Sequence, residues 1–135
     1  MKIILVSYII SLLSIQCWAA VDDDLASVRA AFVDKQYASA VSQLDALIAK
    51  GDGQQEDFPL YLKSLAQFYE KDFSNALQTC EQFLGKYQNS SWYQKAIFLQ
   101  AQCHIQLKQF KEAEAIYEKE TKRLALEEVC PRNLS

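Results

Sequence analysis

The sequence predicts an all-α solenoid of about three antiparallel helix pairs, and two observations carry that prediction. The first is a repeated spacing: counting from Phe73, apolar residues fall at offsets 0, 3, 4, 7, 10 and 11, namely Phe73, Ala76, Leu77, Cys80, Phe83 and Leu84. The same offsets from Tyr37 give Tyr37, Ala40, Val41, Leu44, Leu47 and Ile48, and from Phe110 they begin again with Phe110, Ala113 and Tyr117, then fail. The starts lie 36 and 37 residues apart, a period that signals stacked helical hairpins rather than one ordinary bundle. The second is composition: half of the 135 residues are hydrophobic, with three glycines and two prolines, so a small core is available and few points break a helix.

The first residues stand apart from that pattern. Lys2 is followed by an apolar run from Ile3 to Ile15, interrupted only by Ser7, Tyr8, Ser11 and Ser14, and then by Cys17, Trp18 and Ala19 before Asp22 to Asp24. This reads as an export signal, with cleavage after Ala19 placing small residues at Cys17 and Ala19. A retained anchor is disfavoured because a spanning helix needs roughly 20 apolar residues. Acylation of Cys17 is the second route, although that motif wants a small residue before the cysteine and Gln16 stands there. Removing the signal takes away only Lys2, so the formal charge passes from −3 to −4, which gives no pull towards nucleic acid or an anionic membrane.

Asp22 to Asp24 suit a helix start, and Leu25, Val28 and Phe32 make one stripe behind them: helix A of a first repeat. Asp34 to Gln36 is a tight turn, and Tyr37 to Lys50 runs back as helix B until Gly51, Asp52 and Gly53 end it. Glu56 and Asp57 supply an acidic cap for the next helix, with Pro59 in its first turn, where the missing N–H costs nothing. That helix is apolar over a wide arc through Leu62, Leu65, Ala66 and Tyr69. Lys71 and Asp72 then turn the chain into a helix from Phe73 to about Tyr87. Gln88 to Ser91 provide turn and cap chemistry for a third helix A, marked by Phe98, Ala101 and Ile105. The last helix B departs from the template at Glu114, Glu120 and Thr121, as expected of an end repeat with a polar outer face. The stretch from Leu124 to Val129 either folds back as a partial cap or opens a further repeat. The layout is thus a leader over 1–19, a repeat domain over 20–130 with repeats at about 22–53, 56–89 and 91–128, and a tail over 131–135.

These residues resemble the tetratricopeptide repeat, whose helix B begins aromatic-x-x-Ala and whose helix A carries a small residue nine positions earlier. Ser64 and Ala101 hold that small position, and Val28 departs from it. The resemblance implies close helix crossings at Ala40, Ala76 and Ala113. It also implies a binding groove lined by A helices, which by register points to Arg29, Tyr61, Phe68, Lys95, Phe98 and Gln102. Rings with an Arg and a Lys at the edge suit an extended peptide or a helix. Phe68 and Phe98 read equally well as core. Lys86 to Lys119 is similar to the repeats of exported bacterial proteins of the TolA-binding, cell-division-coordinator type and of a related lipoprotein of outer-membrane protein assembly; Gln88 stands where those relatives often have proline. The expectation is a scaffold that binds a protein or peptide partner in the cell envelope. The alternatives are a lipoprotein subunit of an outer-membrane assembly and a fragment of a longer repeat protein.

Chemistry beyond binding finds no support in the sequence. His104 is the only histidine and has no Asp or Glu at helical spacing on its helix, so it reads as a partly buried structural residue rather than a metal or catalytic group. No phosphate loop, nucleophile elbow or HExxH is present, and no cofactor or metal is expected. An enzyme acting on cell-wall glycan needs paired carboxylates in a cleft, and Asp22 to Asp24 read as a cap instead. Cys80 and Cys103 fit two buried apolar core residues, while export to an oxidising compartment keeps a Cys80 to Cys103 disulfide in view. Cys130, left over, could bridge two molecules.

Overall fold

Three turns with the same construction set the register of the chain. In each, a lysine takes up the left-handed conformation: Lys35 at φ 56°, Lys71 at 68° and Lys108 at 62°. The amide of the following residue reaches back five positions, Gln36 N–H to Ala31 O at 2.8 Å, Asp72 N–H to Gln67 O at 3.0 Å and Gln109 N–H to His104 O at 2.8 Å. This is the Schellman end of a helix, in which glycine usually occupies the left-handed position because it has no Cβ to clash. Lysine holds it here, two residues before the next helix begins.

The computed structural model describes residues 24–51 and 56–129. The leader, Cys17, Asp22 and Asp23, Gly53 and Cys130 lie outside the described residues. Helix α1 covers 24–33, followed by α2 (Tyr37–Lys50), α3 (Asp57–Tyr69), α4 (Phe73–Lys86), α5 (Tyr93–Gln106) and α6 (Phe110–Val129). No strand occurs among them, and from α2 onward each helix packs on the next along the chain. The fold is an all-α helical hairpin solenoid. No described helix is long and apolar enough to cross a membrane.

The small residues lie at the crossings. Ala40 and Ala76 are fully buried and Ala113 nearly so, and Ala40 meets Ala31 and Ala66 where α1, α2 and α3 come together. Val28, Ser64 and Ala101, the positions nine residues before each B-helix aromatic, are all buried. In the first two repeats the aromatic that opens helix B is met edge-on by a ring from helix A: Phe32 on Tyr37 at 5.8 Å and Phe68 on Phe73 at 5.4 Å. Between α3 and α4 a buried polar link joins the pair, with Thr79 Oγ1 lying 2.7 Å from Gln67 Oε1 and 2.9 Å from Asn75 O.

Three details differ from the sequence reading. Neither Glu56 nor Asp57 caps α3, whose start has no side-chain cap. Their carboxylates tie down the α4–α5 corner instead: Glu56 accepts from Lys86 Nζ at 3.2 Å and Tyr87 Oη at 3.3 Å, and Asp57 from Ser90 Oγ at 2.7 Å. The outer face of α6 is polar only in part, with Glu114 and Thr121 exposed as expected. Phe110 and Tyr117 are exposed, while Glu120 is buried and receives Arg123 Nε at 2.9 Å. Finally, the stretch from Leu124 does not fold back, because α6 continues through it to Val129.

Candidate functional site

The sequence places six residues on the A-helix face, and the structure distributes them over three clusters. Ser90, in the turn before α5, donates to Asp57 at the start of α3 at 2.7 Å and ties the starts of these two A helices together. Between them Trp92 stacks on Phe58, with centroids 4.6 Å apart, and on Tyr61 at 5.4 Å. Lys95, one turn into α5, holds its ammonium 4.5 Å from the Trp92 ring centre, a cation–π contact of about 0.5–1 kcal/mol at an exposed site. Tyr61 leans its other edge on the fully buried Phe83 at 6.4 Å. Burial, then the nearby Cys80 and Tyr69, pushes the Tyr61 phenol up from its ordinary range, so it remains a neutral donor.

The second cluster is the far end of α3, where Phe68 is half-buried against Phe73 and Tyr69. The third is further along α5: Phe98 is half-buried beside Tyr117 of α6 at 6.1 Å, and Gln102, one turn on, is exposed. Phe68 and Phe98 each lean on the B helix of their own repeat, so each ring packs one side and presents the other. Arg29 joins none of these clusters. It is exposed on α1 and, with Ala26, Ala30, Val33 and Asp34, lines an open depression of about 320 Å³.

Sequence reasoning missed Trp92 and Phe58, which form the centre of the α3–α5 face. Both flank a helix start and fall outside the A-helix stripe that register selects. The signal available was Trp92 three residues before Lys95, the spacing that lets a cation reach a ring.

Cys80 and Cys103 are both buried and both free thiols. The hydrogen bond to Cys103, then burial, pushes the Cys80 thiol up, and donation from Cys80 holds Cys103 down. His104 is half-buried, its Nδ1–H donating to Gln109 Oε1 at 2.8 Å. No group of acidic, histidine or cysteine side chains suited to a metal occurs among the described residues.

The family model for the anaphase-promoting complex, cyclosome, subunit 3 matches residues 33–120, well over half of the chain. The chain belongs to that family. The match takes in α2 to α5 whole and the first half of α6, so it covers the Trp92 cluster and leaves out most of α1. The family is one of tetratricopeptide-like repeats, which are generally non-catalytic scaffolds that bind proteins. No curated protein and no solved structure matches the chain.

Proposed function

We propose that the chain is an exported scaffold that docks a protein or peptide partner in the cell envelope on the face shared by α3 and α5. The observation that carries this reading is the platform of Phe58, Trp92 and Tyr61 with Lys95 across it, because half-buried rings offer area and a cation offers orientation to an acidic or carbonyl-rich segment. Export rests on the leader that begins at Lys2, and the envelope on the similarity of Lys86 to Lys119 to the TolA-binding type of repeat. A lipoprotein subunit of an envelope assembly is the second reading, favoured by Cys17 at the end of the apolar run. Docking involves no bond making or breaking.

A photo-crosslinking residue at Phe98, half-buried on α5 one turn beyond Lys95, tests the docking. One abundant adduct from the native envelope is expected, lost in Trp92→Ala and Lys95→Glu. A folded, exported chain that captures nothing would remove the groove. The mature N-terminus separates the two export routes: a start at Ala20 means simple cleavage, and a lipid mass on Cys17 means acylation.

A further inference from the structure

The repeat array carries a junction cut in half, and its halves lie at opposite ends of the described helices. Inside the array the two halves meet: Tyr37 at the start of α2 stacks on Tyr69 at the end of α3, with centroids 5.3 Å apart, although Tyr69 keeps 50% exposure there. One repeat before Tyr69 stands Val33 of α1, and two repeats after Tyr37 stands Phe110 of α6. Val33 is 76% exposed and Phe110 62%, two of the three most exposed large apolar residues described.

The rest of each face follows the same rule. Ala66 of α3 is fully buried, while its counterpart Ala30 of α1 is exposed. Leu44 of α2 and Cys80 of α4 are fully buried, while their counterpart Tyr117 of α6 is 36% exposed. The α1 face is small and hollow, with Ala26 and Ala30 in the depression that ends at Val33. The α6 face is bulky, with Phe110, Tyr117 and Leu124 exposed every seventh residue. Arg29 and Asp34 both border the hollow and Glu114 stands between Phe110 and Tyr117; neither Arg29 nor Glu114 has an ion-pair partner among the described residues, so these two can pair across a junction.

We propose that copies of this chain stack end to end, α6 of one on α1 of the next, with Phe110 against Val33 and Tyr117 over the hollow, so that the repeat array continues from molecule to molecule. The contact joins two different surfaces, so it propagates into short chains or closes into a ring rather than stopping at a symmetric dimer. It uses neither Trp92 nor Lys95, so it stands or falls independently of partner docking on the α3–α5 face.

Sedimentation velocity of the full chain, over a wide range of concentration, is the first reading, and mass is expected to rise with concentration. Val33→Glu and Phe110→Glu each place a charge in the junction, and each is expected to weaken association roughly tenfold or more. Mixing the two variants decides the geometry. Each has one intact end, so the mixture forms a dimer and nothing larger. A wild-type chain that is monomeric throughout overturns the proposal. So does association that Phe110→Glu abolishes and Val33→Glu leaves untouched, since that is α6 pairing with α6. If either glutamate variant fails to fold, Arg29→Glu and Glu114→Arg replace them: each alone weakens association, and the two in one chain restore it. No restoration overturns the proposal equally.

Discussion

Helices α4 and α6 are written on one template and end in opposite circumstances. At the seventh offset from the opening aromatic, α4 has Cys80, fully buried, and α6 has Tyr117, partly in solvent; at the tenth, α4 has Phe83, fully buried, and α6 has Glu120, buried with Arg123 as its partner. Both helices cross their own A helix through a buried alanine, Ala76 and Ala113. They differ in what lies beyond: α4 has α5 on its far side, and no described helix follows α6. In a solenoid, then, a hydrophobic face records whether a neighbour covers it, and the template alone does not say.

That comparison breaks most readily at the tenth offset. Phe83→Ala removes a fully buried ring beneath Tyr61 and should cost about 3–5 kcal/mol in urea unfolding. Tyr117→Ala, on the open face, should cost about 1 kcal/mol or less. At a concentration where the chain is monomeric, equal losses would mean that the α6 face is covered within one molecule and that α4 and α6 do not differ in this way.

Ala76→Leu should overpack the α3–α4 crossing by about 1–3 kcal/mol, and Ala113→Leu should do the same at the α5–α6 crossing. A matched pair of losses confines the difference between the helices to their outer faces; wild-type melting in either variant places its crossing elsewhere. Thr79→Val, which strips Gln67 of its buried partner in a link that α6 lacks, should cost about 1–3 kcal/mol.

The turns provide the control, since they are alike in all three repeats. Lys71→Gly and Lys108→Gly should each stabilise by about 0.5–1 kcal/mol, because glycine relieves the left-handed strain and returns part of the gain as unfolded-chain entropy. A stabilised Lys71 variant beside an unchanged Lys108 variant would show that the last turn is already open.

The smallest effect is a slope with pH. The folded phenol of Tyr61 ionises later than the unfolded one, so its contribution is whole below the ordinary phenol range and is lost as pH rises through the raised value. Wild type should therefore lose stability above that range faster than Tyr61→Phe does. Parallel curves would show that the ring is no better shielded when folded.

Helix number, the start of every B helix and the small-residue crossings could be read from the sequence, because they follow from local spacing: a side chain returns to one face of a helix after three or four residues whatever lies opposite. Tyr37, Phe73 and Phe110 open α2, α4 and α6 as the spacing requires. The turn lysines escaped that reading, since their left-handed backbone belongs to the three-residue link between helices and not to their chemistry. The candidate site was legible in part: Tyr61 and Lys95 come from the register, but Trp92 joins them only when α3 and α5 meet. Burial of Glu120 and exposure of Phe110 were likewise decided by tertiary structure. A sequence spacing states which residues share a face, and only the neighbouring helix, present or absent, determines whether that face leaves water.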